Sequence, residues 1–242
     1  DALPISLDVE EGMTVWEVGP GLGSMTSEIL SRGAEVTAFE IDRGFATVLK
    51  EAFEGQKLRL VEGDVLKTWK KESSECGVAS RFFGNLPYNV ASAIVADMIS
   101  AGIRFDEAVI TVQKEVAQRI CAKPGTSEYG AFTVFIEYYA SPSICFDVPP
   151  DCFYPRPKVT STVITLRKRS RDLPQEDKDF LFSITRAAFS QRRKTLVNGL
   201  SSLFAGKLSK EQLQEIITCC GFAPLVRGET LSLDDFMRLS NA

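Results

Sequence analysis

A glycine-rich turn, Gly19-Pro20-Gly21-Leu22-Gly23, follows an apolar β-rich run and leads straight into a helical one; no other feature limits the possible folds of this chain as strongly. Strand, glycines and helix in that order open a βαβ unit, where a backbone without Cβ atoms can approach a ligand lying across the strand's carboxyl end. The alternation then continues. β-rich runs are predicted at 14–19, 35–41, 58–61, 81–84 and 108–113, with helical stretches at 24–32, 43–53, 90–101 and 114–121. That spacing predicts an α/β fold, a parallel, doubly wound, Rossmann-like sheet with helices on both faces. Two further runs, 144–148 and the β-branched 159–166, flank a proline-rich loop (PPDCFYPRP) and could close the sheet as an antiparallel pair. Beyond residue 171 the β pattern stops. Helical periodicity takes over at 175–189, 192–204, 209–220 and 232–240, and Gly221 to Pro224 separate the last two. A chain of 242 residues suits one large domain with a small appendage, and the predicted division is 1–170 for the α/β part and 171–242 for an all-helical one.

Composition removes several kinds of chemistry. Histidine is absent, so Ser-His-Asp and Cys-His catalysis, His-ligated zinc and the usual neutral-pH proton shuttle are excluded. The six cysteines (76, 121, 145, 152, 219 and 220) contain no C-x-x-C pair and read as scattered reduced thiols, and no metal is expected. No apolar run approaches the roughly 20 residues of a membrane helix, and no basic-then-apolar signal region opens the sequence at Asp1. A cytoplasmic protein without a membrane partner is expected. The net charge of −4 hides an asymmetry: residues 152–210 carry 13 Lys or Arg against 4 Asp or Glu, a net of +9, which leaves −13 for the remainder. A basic block on an acidic body suits an anionic partner, although a solvated basic face would look the same.

Three successive strand ends offer ligand groups. Gly19 and Gly21 follow the first strand, with Glu17 just before them; Glu40 ends the second, 21 residues after Gly19, where a carboxylate can accept both hydroxyls of a ribose. Asp64, in Glu62-Gly63-Asp64, ends the third and can accept a hydrogen bond from an adenine amino group. Together they describe a nucleoside site. A dinucleotide cofactor is a rival for this spacing, but the pattern is G-x-G-x-G rather than G-x-G-x-x-G, and nothing supplies a hydride-site acid or base.

Asn85-Leu86-Pro87-Tyr88 follows the fourth strand at the same carboxyl edge. Pro87 fixes its own φ and has no N–H, which leaves nearby carbonyls free to point outward. An exocyclic amine on a nucleobase is a poor nucleophile because its lone pair is delocalised into the ring. The Asn85 side-chain oxygen and the Leu86 carbonyl, gripping its two hydrogens, would favour a pyramidal nitrogen with a localised lone pair. Stacking on Tyr88 would hold the base, contributing about 1–3 kcal/mol. A methyl group held in line would then transfer by direct displacement, with positioning and electrostatics as the catalytic means.

The segments EVGPGLG, FEID, EGD and FGNLPYN occur in this order, followed by VQKEVAQR, FYPRPKVTSTV and AFSQRRKTLVN. From about residue 14 to its end the chain closely resembles the ribosomal small-subunit RNA adenine dimethyltransferases. The resemblance implies a Rossmann-like methyltransferase sheet, S-adenosylmethionine as methyl donor, and N6,N6-dimethylation of two adjacent adenines near the 3′ end of small-subunit ribosomal RNA. By position it makes Gly19 a contact to the donor's methionine part, Glu40 the ribose ligand and Asp64 the adenine ligand. Glu17, Gly21, Ile41, Val65 and Asn85 complete the implied donor site. Asn85, Leu86, Pro87 and Tyr88 form the implied catalytic segment, with Phe153, of Phe153-Tyr154-Pro155, stacking on the other face of the target base. The family carries a G-Q-N-F-L-type segment upstream of the glycine loop that helps cover the donor. This sequence starts after that point, so weak donor binding is expected of a protein that lacks it.

The basic residues then read as RNA contacts: Arg156 and Lys158 beside Phe153, and Arg192, Arg193 and Lys194, which are expected to begin a helix. The Arg167-Lys168-Arg169 and Arg171 cluster fits a solvated linker equally well. A base inside a duplex cannot reach such a pocket, so the target must be single-stranded or extruded. The expected partner is a small-subunit precursor particle, and a monomer would suffice. Two rivals remain. The large-subunit dimethyltransferases that confer antibiotic resistance share the glycine loop, the tetrapeptide and the proline-rich loop, but the QRRKT and closing GFAPLVRGETLSLDDF segments favour the small-subunit family. A non-catalytic RNA-binding factor on the same fold is the other, and the intact glycine loop with Asn85 and Tyr88 argues against it.

Overall fold

The computed structural model describes residues 8–76, 79–100, 105–153 and 156–242. They form two compact units, one of residues 1–117 and 140–168, the other of 118–139 and 169–242.

The first unit is built on seven strands: β1 Thr14–Val18, β2 Glu35–Glu40, β3 Leu58–Glu62, β4 Arg81–Asn85, β5 Glu107–Gln113, β6 Ala140–Val148 and β7 Ser161–Lys168. Their order is β3-β2-β1-β4-β5-β7-β6. The first five pair in parallel. β7 lies antiparallel to both β5 and β6 and so closes the sheet as the β-branched run suggested. β1 (TVWEV) and β5 (EAVITVQ) are buried nearly throughout, as parallel strands covered on both faces must be. The helices in this part are α1 Ser24–Ser31, α2 Arg43–Ala52, α3 Val65–Cys76 and α4 Ala91–Ser100, and α5 Lys114–Ile120 begins here and ends in the second unit. Asp42 starts α2 with a side-chain cap, its Oδ1 accepting the amides of Gly44 at 2.7 Å and Phe45 at 3.0 Å. The sequence pattern gave no sign of α3, whose VLKTWKKESSEC is mostly polar. Its start is fixed instead by Asp64, which accepts the Leu66 amide at 3.0 Å, and Trp69 anchors it by donating from its indole to Asp97 Oδ2 at 2.7 Å. Ala101, which the pattern placed in α4, lies outside the described residues.

The strand order contains the functionally decisive step. From β1 the chain winds outward through β2 to β3, then returns to place β4 on the other side of β1. Sheets of this type have a crevice at the carboxyl ends of the two strands where the order reverses, and ligands bind there. Here those strands are β1 and β4.

The second unit is helical: α6 Ala131–Tyr139, α7 Gln175–Ser190, α8 Leu196–Leu200, α9 Lys210–Cys219 and α10 Leu233–Ser240. Its core gathers Tyr129, Val134 and Tyr138 with Leu181, Ile184, Leu213, Ile217 and Phe236. A single cut at residue 170 therefore omits α6. Its apolar AFTVFIEYY side chains pack with α7, and the Tyr129 hydroxyl donates to the Leu231 carbonyl at 2.8 Å across 102 residues of sequence. α9 and α10 each open with a capping box, Ser209 with Gln212 and Ser232 with Asp235. The helix expected over 192–204 is much shorter: residues 191–194 form a turn, and Thr195 precedes α8. No helix among the described residues is long and apolar enough to cross a membrane.

Candidate active site

The glycine loop sits where β1 and β4 diverge. Gly19 has φ 73°, and a Cβ there would come within 2.7 Å of the Asn85 backbone oxygen. Both facts exclude a side chain, since the obstacle is backbone and cannot swing aside. Gly19 also donates its amide to the Phe39 carbonyl at 3.1 Å, which joins the loop to the end of β2. The first glycine thus packs directly against the first residue of the Asn-Leu-Pro-Tyr segment.

The three acids have different surroundings. Glu40 is buried, and its carboxylate braces the loop: Oε2 accepts the Gly21 amide at 3.2 Å and Oε1 the Asp42 amide at 2.9 Å. Each oxygen keeps a further lone pair for a ligand hydroxyl. Asp64 is half-buried, with Oδ1 serving as the cap of α3. Glu17 is the unusual one. It is fully buried; Oε2 accepts the Thr26 hydroxyl at 2.7 Å, and Oε1 has no hydrogen-bond partner among the described residues. Burial pushes its carboxyl up to about 7, with the Glu40 charge adding to the rise and the Thr26 hydroxyl opposing it. Leu22 and Ile41 project into solvent at this edge, 66% and 69% exposed, whereas Val65 is buried. Acceptors for a ribose and an adenine, a loop closed to Cβ atoms, a buried carboxylate oxygen without a donor, and exposed apolar side chains fit a nucleoside carrying a cationic amino-acid tail.

Asn85 ends β4 opposite Thr111 of β5, and the Leu86 amide donates to the Thr111 carbonyl at 3.2 Å. The Leu86 side chain is 1% exposed and lies where a Cβ on Gly84 would clash at 2.7 Å, so the segment is seated from below. The Pro87 carbonyl is occupied, accepting Val90 at 3.1 Å and Ala91 at 2.9 Å to launch α4. Asn85 is exposed, and no hydrogen bond engages its side chain or the Leu86 carbonyl among the described residues. These two acceptors are open. Tyr88 is half-buried, its hydroxyl 2.7 Å from that of Ser161, the first residue of β7. Sequence reading passed over Ser161 and Thr26. Both are hydroxyls whose partners lie on other elements, and only strand register brings them together.

Phe153 follows a short 3-10 turn over Pro150–Cys152 and is half-buried; its neighbours Tyr154 and Pro155 lie outside the described residues. Arg156 forms an exposed ion pair with Asp151 at 2.8 Å, and Lys158 is exposed. Arg167 pairs with Glu107 at 2.9 Å. Among the described residues no group of three or more His, Cys, Asp or Glu side chains is placed to hold a metal ion.

In the helical unit the basic triplet divides. Arg192 does not present its guanidinium as the sequence suggested. Its Nε donates to Glu229 Oε2 at 2.8 Å, Nη2 to the Thr126 carbonyl at 2.7 Å and Nη1 to the Ser127 carbonyl. A planar fork with five N–H groups is well suited to tying two loops together in this way. Arg193 and Lys194 are exposed, with no ion pair among the described residues. Arg171 is bound to Asp234 at 3.2 Å.

A family model described as ribosomal RNA adenine dimethylase matches residues 5–241. The chain is 39% identical to a ribosomal RNA small subunit methyltransferase A of Treponema denticola over 238 residues, 97% of this chain and 81% of that protein. It is also 39% identical to the protein of the same name from Moorella thermoacetica, over 96% of this chain and 83% of that one. Among solved structures it resembles a dimethyladenosine transferase from Plasmodium falciparum (TM-score 0.83, 24% identity, 98% of this chain and 92% of that chain). It also resembles the 23S rRNA methyltransferase ErmE (TM-score 0.76, 22% identity, 99% and 94%). At these identities the two likenesses are of fold.

Proposed function

The chain belongs to the ribosomal RNA adenine dimethylase family, and from that premise we propose that it dimethylates the N6 amines of two adjacent adenines near the 3′ end of small-subunit ribosomal RNA, with S-adenosylmethionine as donor. The observation that carries this reading is the pair of unengaged acceptors on Asn85 and Leu86, held at the crevice against a glycine that admits no side chain. When bound, S-adenosylmethionine supplies an electrophilic sulfonium methyl. Glu40 holds its ribose, Asp64 its adenine amino group, and the Gly19 backbone its methionine end, with Gly21, Ile41 and Val65 completing the enclosure. Glu17 would lie beneath the loop, and its buried carboxylate would favour the donor's positive charge.

On the acceptor side, the Asn85 amide oxygen and the Leu86 carbonyl take the two N6 hydrogens and localise the nitrogen lone pair. Pro87 keeps the segment in register with α4, while Tyr88 and Phe153 hold the extruded base between their rings. After the first methyl only one N–H remains, so only one acceptor is engaged for the second. Lys158, Arg193 and Lys194 supply phosphate contacts, with Arg156 joining them once Asp151 releases it. Arg192 acts through the turn that presents Arg193 and Lys194. We assign the small-subunit precursor particle as substrate, a monomer as the working form and the cytoplasm as the compartment.

The test is to incubate the chain and an Asn85→Ala variant with labelled donor and undermethylated small subunits, then map the label. Label in N6,N6-dimethyladenosine at adjacent 3′-terminal adenines, lost in the variant, is the expected result. Label in large-subunit RNA in a parallel reaction overturns the substrate, and no label in either despite measured donor binding overturns the activity.

A further inference from the structure

Tyr88, which follows β4, is tied to β7, two places along the sheet. Its hydroxyl lies 2.7 Å from Ser161 Oγ, 73 residues away in sequence. Ser161 is completely buried and occupies a junction, because the first residue of β7 pairs with Gln113 at the end of β5 and with Val148 at the end of β6. The residue before it is fixed as well, the Thr160 carbonyl accepting the Lys114 amide at 3.0 Å. The next is held through Thr162 Oγ1, which donates to Asp147 Oδ1 at 2.6 Å. The Ser161 hydroxyl therefore belongs to a rigid three-strand seam, whereas Tyr88 sits in the turn between β4 and α4 and has no second side-chain hydrogen bond among the described residues. The same seam ends the loop that carries Phe153, Arg156 and Lys158.

From this juxtaposition we infer that Ser161 is a positioning residue for methyl transfer, holding the Tyr88 ring at the angle and depth at which the target adenine stacks. The inference rests on the reading of Tyr88 as the stacking residue. A buried serine needs a partner for its hydroxyl, and the tyrosine supplies one at the end of its ring rather than at its faces. The faces stay available to a base while rotation and withdrawal of the ring are restrained. Small losses of orientation at a reacting centre reduce rate far more than they reduce binding.

The experiment is a double-mutant cycle in this chain with Ser161→Ala, Tyr88→Phe and the double variant. Tyr88→Phe keeps the stacking face and removes only the anchor. Each single variant is expected to lower kcat by about tenfold, with KM for the RNA and donor affinity within about twofold, and the double variant to be no slower than either single one. Both should also release more monomethyladenosine, because the second transfer has one acceptor fewer to hold the amine. Multiplying defects, or a wild-type rate in Ser161→Ala, overturn the inference. A purely structural role for Ser161 would instead lower the melting temperature and the donor affinity together and add to Tyr88→Phe, which also overturns it. The cycle is read on whichever ribosomal RNA the wild-type chain labels, so an error in the substrate does not disturb it. Fluorine NMR of the chain carrying 3-fluorotyrosine at its five tyrosines gives a readout independent of activity. The Tyr88 signal should move and sharpen in Ser161→Ala, and an unchanged signal rules the anchor out.

Discussion

The carboxyl edge of the sheet and the Arg192-Arg193-Lys194 turn of the helical unit both carry residues that the sequence marks out, yet they treat those residues in opposite ways. At the sheet edge the polar groups of Asn85 and Leu86 stay unengaged although their neighbours are packed tightly, and Glu17 is buried with one oxygen unmatched. In the helical unit the most conspicuous cation, Arg192, is used up on Glu229 and two loop carbonyls. The lesson is that a motif records which residues occur together, whereas availability depends on what each donor or acceptor meets in three dimensions. A buried unmatched group such as the Glu17 oxygen is costly, and that cost points to a ligand; the exposed Asn85 amide is solvated and open to one. A fully matched group in a basic run points to architecture.

The sharpest test of this contrast is Asn85→Ala. Removing one preorganised acceptor at the reacting amine should slow methyl transfer by about 10²–10³-fold, with melting temperature unchanged because the side chain is exposed. A loss of stability in step with activity would place Asn85 among the structural residues and erase the contrast.

Next in size is the effect of pH on Glu17. Its folded carboxyl is raised to about 7, above its ordinary 4.5. Below pH 4.5 the group is protonated in both folded and unfolded chains and imposes no penalty. As pH rises through 4.5 to 7 the unfolded chain ionises freely while the folded one resists, so stability falls across that window. The expected loss is about 3 kcal/mol, complete by about pH 8. Denaturant melts of the donor-free chain should show it, and Glu17→Gln should flatten the curve. An unchanged slope in Glu17→Gln would mean that the unmatched oxygen has a partner.

Arg192→Ala should cost about 2 kcal/mol, seen as a melting temperature lower by roughly 4–8 °C. RNA affinity and its salt dependence should otherwise stay near wild type, because what the variant loses is a brace. A wild-type melting temperature with selectively weakened RNA binding would return Arg192 to the contact surface. The smallest effects belong to Arg193→Ala and Lys194→Ala. Stability should stay within about 0.5 kcal/mol. Each should lower the salt dependence of RNA affinity by about one unit of slope, measured by titration at several ionic strengths.

Much of the sheet was legible because its inner strands β1 and β5 are buried nearly throughout and the β-branched runs are bounded by glycines and acids. The helical elements were less so. α3 is a polar stretch held by Asp64 and by the Trp69 indole on Asp97, and neither contact has a periodic signature. α6 reads as an aromatic run that a strand could use equally well, and only its partners in the helical core decide the matter. Arg192, Arg193 and Lys194 are alike in sequence, and nothing local distinguishes the one that faces Glu229.

What the sequence alone determined was the alternation of strands and helices apart from α3, the placing of Glu40 and Asp64 at strand ends, and the order of the segments by which the chain resembles its family. All of these follow from period, spacing and residue type, which are local. The tertiary structure decided that β1 and β4 flank the crevice, that Glu17 is left with an unmatched oxygen, that Tyr88 is tied to Ser161 and that Arg192 is spent. Each depends on a contact between residues far apart in the chain. Strand order, burial and hydrogen-bond satisfaction are properties of the packed whole, because a polar group's free energy is set by what surrounds it and not by what precedes it.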